Sequence, residues 1–340
     1  MNESGVRNSS AEAFLCDNIP RRSWGRAIPH LPKTAENPTN IPLENITVLD
    51  WVPVIVNPAA GQRAAGLKEI NKVFRAAGIR LSVGVTQGEG DAFRLAQQAA
   101  DQGAETVAVY GGDGTVSEVA TALAGRDAAL AILPGGTGNV LTYEFHIPRN
   151  IVQAARLLTG EHRIRVVDLG QMGERKFLIR AGVGLESLVI EQTNQGLKVR
   201  FGLLAYGIAG LQALTKVRPL IYHLDLDGEK IEARGLLCTV ANCGHLGLPG
   251  LSLSPTVNMD DGLLDVIVLR KIDIDTLITL LMQTVTSTRS LGKLQHWQVR
   301  RARIDVDPAQ SVQVDGDNLG NSPLEVVCLP NSLRVVVPVR

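Results

Sequence analysis

The chain lacks the sequence features that usually mark disulfide-rich, zinc and nucleic-acid-binding proteins. Its four cysteines, Cys16, Cys238, Cys243 and Cys328, form no CxxC pair, which indicates reduced thiols in a cytosolic protein. The six histidines form no HExxH motif, so no zinc site is predicted. The formal net charge is zero, and nothing global therefore indicates a nucleic-acid partner.

Long hydrophobic runs are also absent. No segment approaches the ~20 uninterrupted apolar residues of a membrane span, and the longest candidate, Phe201 to Leu214, contains three glycines. The N-terminus has no positively charged start followed by an apolar core, so no signal peptide is predicted. We expect a cytoplasmic protein whose membrane contact is at most peripheral.

Two familiar nucleotide-binding motifs are missing, but two other glycine-rich loops are present. No GxxxxGK[ST] occurs, and the loop at Gly111 is not GxGxxG, which disfavours a P-loop and a dinucleotide fingerprint. Instead, an apolar strand runs into Gly111-Gly-Asp-Gly-Thr115, and a second runs into Pro134-Gly-Gly-Thr-Gly-Asn139. Successive backbone N–H groups in such loops bind anionic oxygens, so phosphate binding is predicted over two plain tight turns.

The hydrophobic pattern predicts an α/β protein of two domains after a tail. Residues 1–45 are rich in Asn, Pro and Ser and are predicted to be a flexible tail. Residues 46–165 alternate strands with helical patterns, which predicts a parallel α/β domain. Residues 166–340 predict a β-rich, mostly antiparallel domain whose last strand could return to the first domain. Its predicted strands include 176–181, 230–240, 299–306, 325–328 and 333–337, with helical patterns at 186–216 and 273–288.

The chemistry of the first loop indicates metal-assisted phosphate binding. Asp113 can hold Mg²⁺ while the loop amides take phosphate oxygens. Thr115 and Thr137 offer hydroxyls, and Asn139 offers an amide. Glu118, one turn into the following helix, could orient the site.

These motifs resemble the nucleotide-binding set of the diacylglycerol kinase catalytic-domain family, which includes bacterial lipid kinases related to sphingosine and ceramide kinases. The resemblance rests on Asn57-Pro-Ala-Ala-Gly61, on the two glycine loops with Glu118, on Asp260-Asp-Gly-Leu-Leu-Asp265 and on Val314-Asp-Gly-Asp317. It implies a first domain like that of NAD kinase and phosphofructokinase, with ATP in a cleft between the domains. The implied ATP-binding residues are Asn57, Pro58, Gly61, Gly111, Gly112, Asp113, Gly114, Thr115, Glu118, Gly135, Gly136, Thr137, Asn139 and Lys198.

The resemblance also implies roles for acidic residues and an acceptor. Asp315 matches the family's general base, and Asp113 and Asp317 complete the expected catalytic set, because a carboxylate can accept the proton of a lipid alcohol. Asp315-Gly-Asp317 also fits an ordinary turn. A Mg²⁺ is expected at Asp113, and a structural one at Asp260, Asp261, Leu263 and Asp265, although the latter segment also reads as a turn entering a strand.

Several alternatives stay open at this point. Ala60, Glu186 and Asp317 depart from the family's common residues, and Lys198 could equally be a solvated cation. The segment from His296 to Arg303 either rests on anionic headgroups at a membrane surface or is simply a basic strand face. An NAD kinase-like or sphingosine kinase-like enzyme and a non-catalytic regulator are the competing functions. Exposed strand edges could pair two copies into a homodimer.

Overall fold

The structure is a computed structural model. It describes residues 49–59, 63–136, 138–184, 218–246, 252–254, 256–271 and 293–339. The helical patterns predicted at 186–216 and 273–288 lie outside these ranges, as does the N-terminal tail. The described residues form the predicted α/β architecture, with an N-terminal parallel-sheet domain and a C-terminal antiparallel β-rich domain.

The parallel sheet is built from strands whose faces are both apolar. Its strands are β1 (Trp51–Val56), β2 (Arg80–Val85), β3 (Thr106–Gly111) and β4 (Ala129–Pro134). They lie in the order β2-β1-β3-β4, and each neighbouring pair is parallel. Every residue of β3 and β4 is buried, as expected for strands covered on both sides. Because the strands are parallel, the carboxyl ends of β1, β3 and β4 lie at the same edge of the sheet.

Helices connect and flank these strands. They are α1 (Arg63–Ala76), α2 (Asp91–Asp101), α3 (Asp113–Leu123), α4 (Val140–Glu144) and α5 (Ile151–Thr159). The hydrophobic pattern predicted α1, α2 and α3 and missed α4 and α5. The first turn of α5 is capped by Asn150, whose side-chain oxygen accepts hydrogen bonds from the N–H groups of Val152 and Gln153, an arrangement typical of a helix start.

The remaining strands form the β-rich part of the chain. They are β5 (His162–Met172), β6 (Arg175–Phe177), β7 (Arg180–Val183), β8 (Leu220–Leu226), β9 (Glu229–Gly235), β10 (Leu237–Ala241), β11 (Leu264–Lys271), β12 (Lys293–Val299), β13 (Arg301–Val306), β14 (Ser311–Val314), β15 (Asp317–Asn321) and β16 (Leu324–Pro338). One sheet has the order β12-β11-β10-β7-β14-β15. The other extends the parallel strands through β16-β13-β8-β9, with β5 and β6 beside β16.

Three predicted strands are in fact interrupted. The chain bends at Leu236 and at Arg300, so that β9 and β13 belong to one sheet while β10 and β12 belong to the other. An apolar run does not reveal such a bend. The bend after β9 follows Gly235, where an added Cβ would lie 2.4 Å from Val268 Cγ1. The third strand, predicted at 176–181, is broken at Leu178 and Ile179, whose N–H groups bind a side chain of the site described below.

The last two predicted strands are a single long strand. Residues of β16 pair antiparallel with β13 and β5, and Val335 pairs parallel with Leu130 of β4. An irregularity lies between Leu329 and Leu333, where Asn331 has a φ of 52°. The strand therefore joins the β-rich part of the chain to the parallel sheet.

Candidate active site

The two glycine loops lie side by side at the edge where β3 and β4 end. The N–H of Gly135 donates to the carbonyl of Gly111 at 3.0 Å. A Cβ added to Gly136 would lie 2.7 Å from the Cα of Gly112, which is closer than real side chains approach. The loops contact each other through their backbones, and only glycine permits this contact.

Asn57 fastens the end of β1 to the first loop. Its Nδ2 donates to Thr115 Oγ1 at 2.8 Å, and its Oδ1 accepts from the N–H of Ala59 at 2.7 Å, across Pro58. Thr115 is buried at the start of α3. The Asn57 amide thus holds the strand end and the loop in a fixed relation.

Asn139 performs a similar task in the second loop. It is buried, has a φ of 49° and exchanges two hydrogen bonds with the backbone of Gly136, from N–H to Oδ1 at 3.2 Å and from Nδ2 to the carbonyl at 2.5 Å. Asparagine tolerates this left-handed conformation better than most residues. The predicted site residues Gly61, Thr137 and Lys198 lie outside the described residues.

Asp113 joins the two loops. It begins α3, and its carboxyl group accepts hydrogen bonds from the backbone N–H groups of Val140, Leu141 and Asn139 in the second loop and α4. Burial raises the pKa of the Asp113 carboxyl, and the negative charge of Asp315 adds to that rise, while the three N–H donors oppose it. Asp113 therefore lies close enough to Asp315 for their charges to interact.

Asp315 occupies the turn between β14 and β15. Its Oδ1 accepts from the N–H groups of Ile179 and Arg180 at 3.0 and 2.9 Å, and its Oδ2 accepts from the N–H of Leu178 at 2.9 Å. The Ser117 hydroxyl also donates to Oδ2. Burial raises the pKa of Asp315, whereas these donors act in the opposite direction. The carboxylate is rigidly placed by elements from both parts of the fold.

Residues of α3 set the relation between the two acids. Asp113 and Ser117 are four positions apart on this helix, a spacing that places side chains on the same face. Because Ser117 donates to Asp315, both acids meet that face of α3. Ser117 was not predicted from the sequence, although its spacing of four residues from Asp113 is a signal that could have identified it.

Two predicted acidic site residues have other partners. Glu118 accepts a hydrogen bond from the N–H of Phe93 in the first turn of α2 at 3.3 Å, so its observed contact links α3 to α2. Asp317 is more than half exposed and forms an ion pair with Arg175 of β6. Their roles in ATP binding and catalysis stay predictions without support from these contacts.

The predicted structural metal loop is held mainly by protein contacts. Asp260 Oδ2 is 2.9 Å from Arg165 Nε, Asp261 accepts from the N–H of Leu263 and from Gln298, and Asp265 Oδ1 is 2.5 Å from His296 Nε2. Among the described residues, no group of three or more His, Cys, Asp or Glu side chains is arranged to hold a metal ion. Metal binding by these four residues stays a prediction, and Asp265 Oδ2 is buried without a hydrogen-bond partner among the described residues.

Asp168, which the sequence analysis did not single out, holds this loop in place. It is fully buried at the middle of β5, and its carboxylate accepts from the N–H groups of Gly262 and Asn331 at 2.7 Å each. Burial raises the pKa of its carboxyl despite these donors. One side chain thus ties the Asp260 loop to the irregularity in β16.

A divalent cation fits the chemistry of the Asp113 carboxylate. A Mg²⁺ site needs oxygen ligands and one or two carboxylates beside the substrate phosphates. Asp113 supplies a carboxylate between the two loops. A cation there would offset the negative charges of Asp113 and Asp315, whose repulsion adds to the rise that burial causes in the pKa of Asp113.

Comparison with known proteins identifies the family. Residues 52–172 match the diacylglycerol kinase catalytic domain, and residues 180–337 match the YegS C-terminal NAD kinase beta sandwich-like domain. The chain is 32% identical over 296 residues to the diacylglycerol kinase of Mycobacterium tuberculosis, which covers 84% of this chain and 95% of the relative. The chain belongs to the diacylglycerol kinase family. It is a lipid kinase, as the sequence resemblance predicted.

A solved diacylglycerol kinase structure and a further relative are also similar to this chain. The crystal structure of a diacylglycerol kinase from Bacillus anthracis superimposes with a TM-score of 0.72 at 28% identity, covering 86% of this chain and 98% of that one. An uncharacterised protein of Synechocystis is 31% identical over 264 residues, which are 75% of this chain and 57% of that protein. The described part of this lipid kinase contains no helix long and apolar enough to cross a bilayer.

Proposed function

We propose that this lipid kinase transfers the γ-phosphoryl group of ATP to the hydroxyl of diacylglycerol or of a related lipid alcohol. The observation that carries the proposal is the meeting of Asp113 and Asp315 on one face of α3. Asp113 stands between two loops whose backbones can bind phosphate, and Asp315 is a rigidly held carboxylate that can accept a proton. A phosphoryl transfer needs both functions in one place.

The proposed step is a direct displacement. The lipid hydroxyl oxygen forms a bond to the γ-phosphorus, and the bond between that phosphorus and the β–γ bridging oxygen breaks. ADP leaves with the bonding electron pair, and the hydroxyl proton passes to Asp315. The raised pKa of Asp315 favours this role, because a carboxylate with a pKa nearer neutrality is a stronger base.

The glycine loops and Asn57 would hold the polyphosphate. Their N–H groups are fixed by the Gly135–Gly111 hydrogen bond and by the two side-chain amides of Asn57 and Asn139. Asp113 would hold a Mg²⁺, which supplies neutralisation of phosphate charge when bound. A rigid loop loses little entropy on binding, so this fixed geometry favours affinity for the nucleotide.

A lipid acceptor implies contact with a membrane surface. Arg300 and Arg301 are exposed at the bend between β12 and β13, and their side chains form no ion pair with any described residue. Arg303 instead pairs with Glu325, and Trp297 is partly buried against the core of the β-rich domain. We therefore assign Arg300 and Arg301, rather than the whole 296–303 segment, to peripheral contact with anionic headgroups.

An acceptor screen tests the proposed function. The purified protein is incubated with γ-labelled ATP and Mg²⁺ and, in separate reactions, with diacylglycerol micelles, a sphingoid base or NAD. We expect label in the diacylglycerol fraction and its loss with Asp113→Asn and with Asp315→Asn. Label on NAD would identify an NAD kinase. Label on the sphingoid base alone would show that the acceptor is a sphingoid base and not diacylglycerol. Binding of ATP with transfer to no acceptor would favour a regulator.

A further inference from the structure

Arg180 contacts the proposed base, Asp315, through its backbone and a second part of the chain through its side chain. It begins β7, and its backbone N–H donates to Asp315 Oδ1 at 2.9 Å. Its guanidinium Nη2 donates to the backbone carbonyl of His245 at 2.6 Å. The backbone of this residue therefore fixes the carboxylate of Asp315, while its side chain is held at a defined point by a second contact.

The guanidinium lies near both acids without pairing with either. It is half-buried, and burial lowers the pKa of Arg180, while Cys243, Asp315 and Asp113 act in the opposite direction. Nevertheless, it forms no ion pair with a carboxylate among the described residues. Asp315 and Asp113 offset its charge only through space, and a cation in a partly dehydrated position without a direct ion pair is costly, so a bound anion would stabilise it.

Most of its hydrogen-bonding capacity is also unused. A guanidinium carries five N–H donors in a planar fork that matches the oxygens of phosphate. In the described part of the chain, only one of these donors has a partner, the His245 carbonyl. The remaining donors belong to a guanidinium whose charge interacts with those of Asp315 and Asp113, the two acids of the proposed site.

We propose that Arg180 binds the phosphoryl group while it is being transferred. This inference rests on the proposed function and adds a named cation to it. As the lipid oxygen bonds to the γ-phosphorus and ADP leaves with the electron pair of the broken bond, negative charge spreads over the three equatorial oxygens. Arg180 donates to these oxygens, and the hydroxyl proton passes to Asp315, so that charge and protons balance.

A different explanation is that Arg180 only adjusts the pKa of Asp315. Its positive charge near that carboxylate stabilises the deprotonated form, and its removal would raise the pKa of Asp315 further. Loss of activity from this cause would be recovered at higher pH, where Asp315 loses its proton again. A missing contact to the phosphoryl group would not be recovered in this way.

The test compares Arg180→Gln and Arg180→Lys with Arg126→Gln. Arg126 is a surface arginine paired with Asp101 at 2.6 Å, and its replacement controls for loss of one cation. We expect kcat to fall by about a hundredfold to a thousandfold in Arg180→Gln at every pH tested. Binding of ADP with Mg²⁺ and aluminium fluoride, which imitates the transferred group, should weaken strongly, while binding of a non-hydrolysable ATP analogue stays nearly unchanged.

Arg180→Lys keeps the charge but not the forked donors, and we expect it to retain only part of the activity and of the aluminium fluoride binding. Thermal unfolding identifies any variant that does not fold. If Arg180→Gln does not fold, the comparison is made with Arg180→Lys alone. Activity that recovers at high pH, or equal loss of both ligands, would overturn the inference. If the unaltered protein phosphorylates no lipid but binds aluminium fluoride through Arg180, the proposed acceptor is wrong and Arg180 keeps its role.

Discussion

Asp315 combines an unusual backbone conformation with a heavily hydrogen-bonded side chain. Asp315 and Gly316 have φ values of 48° and 100°, the conformation that an Asp-Gly pair adopts most readily in a two-residue hairpin. This turn places the carboxylate beside the break between β6 and β7. There it accepts hydrogen bonds from the N–H groups of Leu178 and Ile179 in the break and of Arg180 at the start of β7. The turn interpretation and the catalytic interpretation of this motif are therefore compatible.

Ser117 should control the basicity of Asp315. Its hydroxyl donates to Oδ2 and lowers the pKa of the carboxyl, so Ser117→Ala should raise that pKa. Because a general base must be deprotonated, the acid side of the profile of kcat/KM against pH should move to higher pH. Measuring this profile for both proteins checks the prediction, and an unchanged acid limb would contradict it. Ser82→Ala, at a hydroxyl bonded to Trp51 on the surface, is the matched control.

At the scale of elements, the contact between the glycine loops should be intolerant of any side chain. In Gly136→Ala the new Cβ would meet the backbone of Gly112 at 2.7 Å, and backbone atoms cannot move aside cheaply. We expect destabilisation of about 1–3 kcal/mol and a large loss of ATP affinity, measured by urea unfolding and nucleotide titration. The control is Gly88→Ala, where nothing lies within 4 Å, and an equal effect of both changes would contradict the account.

Local sequence patterns predicted the elements that carry the loops but not the contacts across the site. Apolar strands ending in Gly111 and Pro134 were sufficient to predict two glycine-rich loops at one sheet edge, and phosphate binding by these loops stays a prediction. In contrast, Ser117, Arg180 and Asp168 have roles that arise from partners up to 198 positions away. Such pairings depend on how β7, β14 and β16 come together, which hydrophobic periodicity does not encode.

The same limit explains the misread strands. Periodicity shows that a run is buried, but not that it changes sheets, so the segments around Leu236 and Arg300 were each interpreted as one strand. The continuous strand predicted at 176–181 is interrupted, because the N–H groups of Leu178 and Ile179 bind Asp315 rather than a neighbouring strand. A break in a strand pattern was thus a feature of the site itself.

At the scale of the whole molecule, β16 makes the two domains share a sheet. It pairs with β13 at its N-terminal end, with β4 near its C-terminal end and with β5 along most of its length. Val335, Val336 and Val337 are buried near the C-terminal end. We expect the two domains to unfold together, although many two-domain proteins do not. Any loss of this strand should therefore affect the whole protein.

Tryptophan fluorescence can check this cooperativity. Trp51 lies on β1 of the parallel sheet and Trp297 on β12 of the six-stranded sheet. Two variants are made, both with Trp24→Phe: one retains only Trp51 and the other only Trp297. The two variants should show the same midpoint of urea unfolding. Each should also match the midpoint from circular dichroism. Two separate midpoints would show that β16 does not couple the domains.

The central claim is that one site binds ATP on the glycine loops and accepts the lipid proton on Asp315. The most direct measurement is single-turnover transfer of labelled phosphate to diacylglycerol by Asp315→Asn, with ATP binding measured on the same sample. The account predicts transfer slower by about a hundredfold or more and an ATP affinity close to that of the unaltered protein. Transfer at the full rate would contradict it.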